Sequence, residues 1–188
     1  MKKAITASFL LLIFISVQPS AKMLGTSYET AGVSIKEISP FVYCCIPHKG
    51  PFTEIENVIK MLMSISQNQR IYPAGPLMGI YHNSPDEVKP EELEWEIGFP
   101  ITPQAVPLEP LEKKQWDFTL VATALHTGPY EKTGETILKI LEWMKTNNYI
   151  PAGPVLERYL DMSPSSVPPE KLRTEVWIPC KKKQKIAN

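Results

Sequence analysis

Apolar and polar positions along the chain fall into two matching series. In the first, "FVYCCIP" from Phe41 is short, apolar and bounded by prolines, so it predicts a strand. After a Gly-Pro turn, Ile55, Val58, Ile59, Leu62 and Met63 recur at helical spacing. Thr53 with Glu56 fits a capping box at the start of that helix. The Pro and Gly of "YPAGP" stop it, because neither continues a helix. Two further apolar segments, "PLMGIYH" and "LEWEIGFPI", predict strands. The second series keeps the order: "FTLVATAL", a helix with Ile137, Leu138, Leu141 and Met144 and Trp143 to one side, then "IPAGP", "PVLERYLD" and "LRTEVWIPC".

These series are a repeat. An offset of 78 carries "HKGPF" at His48 onto "HTGPY" at His126, "PAGP" at Pro73 onto "PAGP" at Pro151, and Tyr81 onto Tyr159. One extra residue then makes it 79, which brings Pro90 and Glu91 onto Pro169 and Glu170, Glu96 onto Glu175 and Pro100 onto Pro179. Two copies are too few for a solenoid, so they predict a pseudo-twofold pair sharing one core. The fold class expected is α+β: two strand-helix-strand-strand modules, their antiparallel sheets merged, both helices on one face and a central cleft. Module one spans about 34–101, a Pro-rich connector 102–116 and module two 117–181, all one domain over 34–181, with a basic tail at 182–188.

Alternation along the last strands sorts the candidate chemistry. Leu93, Trp95, Ile97 and Phe99 share one face, and Glu94, Glu96 and Gly98 the other. In the second copy Leu172, Thr174, Val176 and Ile178 oppose Arg173, Glu175 and Trp177. With the aliphatic faces against the helices, Glu96 and Glu175 belong on the opposite face. Trp177 stands beside Glu175 where the first copy has Gly98, so a ring and an absent side chain shape an asymmetric cavity. A carboxylate beside an aromatic ring suits an organic cation. The alternative is that both carboxylates are solvated groups on a half-exposed sheet. Tyr81 and Tyr159 either present hydroxyls to the cavity or are structural. His48 and His126 are read as turn residues whose rings hydrogen-bond the backbone, and His82 as a surface residue.

Composition narrows the classes. Charges balance at 20 basic and 20 acidic residues, which gives no support to nucleic-acid binding. No phosphate loop, nucleophile elbow, zinc motif or cofactor signature is present. The start "MKKAITASFLLLIFISVQPSAKM" has the charged, apolar and small-residue regions of a secretory signal, assigned to 1–21 with a leader at 22–33. The chain is therefore expected to be exported, periplasmic or secreted, and membrane-anchored if the signal is uncleaved. Of Cys44, Cys45 and Cys180, the adjacent pair points to opposite strand faces, so only one of them shares a face with Cys180. A disulfide and three small buried thiols both remain open.

The doubled "HxGP[FY]" turn, the doubled "PAGP", the Tyr near "YHNSP" and the doubled "E[IV]xxP" strand endings resemble the GyrI-like, or AraC-type effector-binding, domain over about Ser34 to Lys181. The resemblance implies paired strand-helix-strand-strand modules and a cleft that binds small organic, often cationic, molecules. It implies an acidic residue of the last strand in that cleft, placed here at Glu175. Aromatic lining is placed at Trp177, Tyr81, Tyr159 and Trp95, with Glu96 and Gly98 beside them. A stand-alone, exported small-molecule-binding protein is expected, without a DNA-binding segment, metal or cofactor. The alternatives are a hydrolase of reactive small molecules with Glu175 as general acid or base, and haem or porphyrin binding.

Overall fold

The computed structural model describes residues 32–161 and 163–184. The proposed signal and leader, apart from its last two residues, lie outside the described residues. Nine strands and two helices follow in the order β1 (Val33–Glu37), β2 (Phe41–Lys49), α1 (Ile55–Gln69), β3 (Leu77–Tyr81), β4 (Glu94–Pro100), β5 (Glu112–Trp116), β6 (Leu120–Thr127), α2 (Thr133–Thr146), β7 (Tyr149–Pro151), β8 (Val155–Tyr159) and β9 (Arg173–Lys182). The sheet runs β1-β6-β9-β8-β3-β4-β2-β5, with β7 added to β9, and every pairing is antiparallel. The fold is α+β, and the modules join where β3 pairs with β8, so that Gly79 faces Glu157.

The repeat is longer than the apolar pattern shows. The connector expected at 102–116 ends in a strand, β5, which holds the place in its copy that β1 holds in the first. Each leading strand is exchanged: β1 pairs with β6 of module two, and β5 with β2 of module one. The sequence "EKKQW" of β5 lacks apolar alternation because it is an edge strand, where charge discourages further pairing.

This exchange curls the sheet. β1 and β2 are six places apart, roughly 29 Å at about 4.8 Å per strand if flat. The link from Glu37 to Phe41 spans only about 15 Å when extended. The sheet must therefore bend until its edges approach, and Ile38 N–H donates to the Thr119 carbonyl at 2.9 Å where the two links cross. The concave face is filled by Tyr43, Cys45, Met78, Ile80, Trp116, Val121, Leu156 and Trp177. Both helices pack on the convex face, α1 over β2 and β4, α2 over β6, β9 and β7.

Local expectations need some correction. A single 3-10 turn, Phe52–Glu54, precedes α1, and no side chain caps the helix, so Thr53 and Glu56 form no capping box. In α2 the buried positions are Thr133, Thr136, Ile140, Trp143 and Met144, whereas Leu138 is exposed. β9 extends through Lys182, one residue into the proposed tail. Cys44, Cys45 and Cys180 are free, buried thiols in three separate apolar clusters. Burial pushes the Cys44 thiol up to about 11, so it packs as a small apolar residue.

Candidate functional site

The strand alternation is as expected, and the same alternation divides the candidate residues between two faces of the sheet. Glu96, Gly98, Glu175 and Trp177 lie on the concave face. Tyr81, Tyr159 and Trp95 lie on the convex face with the helices. They do not line one cavity.

On the concave face each carboxylate already has partners. Glu96 is 2% exposed rather than solvated. It accepts from Cys45 Sγ at 2.7 Å, His82 Nε2 at 2.8 Å and Lys114 Nζ at 3.0 Å. Burial alone would raise its pKa, yet these hydrogen bonds and the Lys114 charge bring it down to about 2. His82 is thus a partner of Glu96 as well as a surface residue. Glu175 accepts from Lys36 Nζ at 3.1 Å and from the Arg158 guanidinium. Burial opposes ionisation there too, but Lys36 and Arg158 hold the carboxyl below its ordinary range. The Trp177 ring is covered by Arg158 at 4.5 Å and Lys36 at 5.3 Å. The place a cationic ligand would take beside Glu175 and Trp177 is held by the chain's own cations. Gly98 opens no space either, since a Cβ there would fall 2.2 Å from the Cys44 carbonyl oxygen. It is glycine so that β2 can approach.

On the convex face, β3 and β8 run between the two helices and carry an aromatic cluster with the repeat's symmetry. The Tyr81 and Tyr159 hydroxyls meet at 2.8 Å. Phe52 packs edge-on against Tyr81 at 5.3 Å, and Tyr130, its equivalent, against Tyr159 at 5.1 Å. The turns of "HKGPF" and "HTGPY" therefore deliver an aromatic ring to each half. Gly79 is required here by close approach, because a Cβ would lie 2.7 Å from the Tyr81 hydroxyl and 3.0 Å from that of Tyr159. Trp95 lies behind this cluster, 1% exposed, with its indole N–H donating to the Gly50 carbonyl at 2.8 Å.

The residue that alternation did not single out is Glu157. It is 5% exposed and accepts from the Tyr159 hydroxyl at 3.1 Å, so the hydroxyls form a chain from Tyr81 through Tyr159 to the carboxylate. No Lys or Arg among the described residues forms an ion pair with it. Burial raises its pKa, and the Tyr159 hydrogen bond, with the nearby Thr133 and Tyr81 hydroxyls and His126, offsets this only in part. A signal was present in the sequence: the offset of 78 sets Gly79 against Glu157, a carboxylate in an apolar strand where the other copy has no side chain.

His126 behaves as a turn residue, accepting from or donating to Thr136 Oγ1 at 2.9 Å and donating Nε2–H to the Pro129 carbonyl at 3.1 Å. His48 instead pairs with Glu54. No cluster of three His, Cys, Asp or Glu able to hold a metal occurs among the described residues. Surface depressions of about 460 Å³ at Glu37, Ile38, Thr119 and Leu120, and about 430 Å³ around His48, His82 and Lys114, lie off the tyrosine cluster.

Comparison with known proteins gives a family and a fold. A family model described as a GyrI-like small molecule binding domain matches residues 32–181. No curated protein matches the sequence. Among solved structures, the EcmrR C-terminal domain superposes with TM-score 0.67 at 19% identity, covering 80% of this chain and 97% of that one. In the EcmrR–DNA complex the chain spans 57% of the EcmrR chain, at 18% identity and TM-score 0.66. A protein from Listeria innocua described as a hydrolase matches at TM-score 0.57 and 12% identity, over 79% of this chain and 91% of that one. A protein solved bound to tetraphenylphosphonium matches at TM-score 0.56 and 11% identity, over 79% of this chain and 93% of that one.

Proposed function

The chain belongs to the GyrI-like small-molecule-binding domain family, and from that premise we propose that it binds a monovalent, aromatic organic cation in a central cleft between its two helices, against Glu157. One observation carries this reading: Glu157 is a buried carboxylate with aromatic rings around it and no cation of its own among the described residues. A buried, unpaired charge costs stability, and an arriving cation removes that cost. Phe52, Tyr81, Tyr130 and Tyr159 supply ring faces and edges to an aromatic body. The ligand enters by parting the Tyr81–Tyr159 hydroxyl contact, so that Tyr159 continues to orient Glu157 while Tyr81 turns to the ligand. That a relative of this fold was solved with tetraphenylphosphonium supports the choice of cation.

Titration of the full chain with tetraphenylphosphonium, followed by tyrosine fluorescence, tests the reading. Glu157→Gln is expected to weaken binding roughly ten- to hundredfold, the range for a hydrogen-bonded or paired charge. Equal affinity in the two proteins overturns it. A second reading rests on the raised pKa of the same carboxyl, which equips Glu157, and not Glu175 with its lowered pKa, as a general acid toward a reactive small molecule. Turnover lost in Glu157→Gln favours that reading; intact substrate after long incubation removes it. Export to the periplasm or beyond, and action without a DNA-binding segment, are part of the proposal.

A further inference from the structure

The two halves of the aromatic cluster match in shape but differ in chemistry. In module one, the positions flanking Tyr81 on the convex face are Gly79, Ile55, Val58 and Trp95. Their equivalents around Tyr159 are Glu157, Thr133, Thr136 and Thr174. Val58 and Trp95 are buried at 2% and 1%, Thr133, Thr136 and Thr174 at 7%, 6% and 0%. Apolar side chains in one half are thus replaced one for one by buried hydroxyls in the other. Packing does not call for this. Replacing a buried apolar group with a hydroxyl costs stability unless the hydroxyl is satisfied.

Two of the three hydroxyls are satisfied within the chain. Thr133 Oγ1 donates to the Tyr130 carbonyl at 2.9 Å, and Thr136 Oγ1 meets His126 Nδ1 at 2.9 Å. Thr174 Oγ1 has no partner. Thr174 pairs across the sheet with Tyr159 on one side and His126 on the other, one step along the same face from Val176, the register partner of Glu157. A fully buried hydroxyl without a partner, beside a buried carboxylate without a cation, describes a place for a group that brings both positive charge and N–H donors.

We infer that the site is polar in module two and apolar in module one, and selects an amphiphilic cation whose charged head carries N–H bonds, a primary or secondary ammonium or an amidinium, over quaternary cations of the same size. The head sits on module two against Glu157, with Thr174 accepting an N–H, and the apolar body extends over Gly79 toward Phe52. A quaternary head has charge but no donor, so it leaves Thr174 unsatisfied. This inference rests on the reading of Glu157 above and adds the ligand's direction and head-group class.

The test compares biphenylmethylammonium with its N,N,N-trimethyl counterpart, titrated by calorimetry into the full chain. The expected result is roughly tenfold tighter binding of the primary ammonium, the worth of one hydrogen bond to a charged group. Thr174→Val is expected to reduce that preference to about twofold or less. The same change is expected to raise the thermal midpoint, because it removes an unsatisfied hydroxyl at nearly constant volume. Fold is monitored by the far-ultraviolet spectrum. Thr133→Val supplies an independent control at a satisfied hydroxyl, and its effect on the preference is expected to be smaller than that of Thr174→Val. Equal binding of both probes to the wild type, with both weakened in Glu157→Gln, overturns the head-group inference and leaves the cation reading standing. A preference unchanged in Thr174→Val also overturns it. Failure of both probes to bind overturns both readings.

Discussion

The sheet has a carboxylate story on each face, and the two differ. On the concave face, Glu96 and Glu175 are each supplied with cations from neighbouring strands: Lys114 on β5 for one, Lys36 on β1 and Arg158 on β8 for the other. Both are held below the ordinary carboxyl range. Lys114 and Lys36 come from the exchanged leading strands, so these pairs tie each exchanged strand to the sheet that receives it. On the convex face, Glu157 has hydroxyls and a histidine but no ion-pairing Lys or Arg among the described residues, and burial drives its pKa up. A carboxylate whose counter-charge is built in serves the fold. One whose counter-charge is missing costs the fold something, which is why Glu157 is the candidate in the function proposed above.

The largest expected effect breaks the comparison on stability. Glu96→Ala leaves Cys45 without its acceptor and Lys114 with Glu112 alone, and is expected to cost about 3 kcal/mol, the lower end for removing one partner of a buried pair. Glu157→Gln is expected to leave stability unchanged or raised. Urea unfolding of both variants checks this, and a large loss in Glu157→Gln would undo the distinction. Next comes Gly98→Ala, expected to cost about 1–3 kcal/mol because the new Cβ meets β2 backbone. Its effect on cation affinity is expected to be small, since the concave face is packed.

Acidity separates the two faces by sign. Glu96 has a folded pKa of about 2, below its unfolded value, so it contributes stability that is full above about pH 4.5 and is lost as pH falls toward 2. Glu157 has a raised folded pKa, so the folded state binds its proton first and stability increases as pH falls through that value toward about 4.5. Midpoints measured from neutral to acid pH are expected to hold or rise and then drop. Glu157→Gln flattens the first limb; Glu96→Gln flattens the second. The same signs predict that cation affinity rises with pH, since the cation favours the ionised Glu157. The smallest effect belongs to Glu175→Gln, where the Lys36 partner is largely exposed; about 0–1 kcal/mol is expected.

Much of the fold was legible because the repeat was. Matched turns, prolines and apolar strands gave the order of elements, the merged sheet and the shared helix face. The exchange of leading strands was not legible. "VSIKE" and "EKKQW" have no common apolar pattern, since an edge strand buries little and its partner is chosen by chain path rather than by sequence. That exchange bears on which face of the sheet is packed. Alternation correctly put Glu96 and Glu175 opposite the helices, but only the curl shows that this face turns inward and packs. Alternation along β3 and β8 puts Tyr81 and Tyr159 on the other face, beside a carboxylate, Glu157, that stands two residues from Tyr159 and opposite Gly79. The pairing of Gly79 with Glu157 was available from the same offset that paired Gly98 with Trp177. Sequence alone does not tell the two asymmetries apart; the distances do, since a Cβ at Gly98 would meet the backbone of β2 and one at Gly79 the ends of two tyrosine side chains.

The most direct measurement is the affinity of one monovalent aromatic cation for Glu157→Gln and Glu175→Gln side by side with the wild type, by calorimetry near neutral pH. A loss of roughly ten- to hundredfold is expected in Glu157→Gln and of less than about twofold in Glu175→Gln. A full loss in Glu175→Gln with Glu157→Gln unchanged would contradict this and return the site to the concave face.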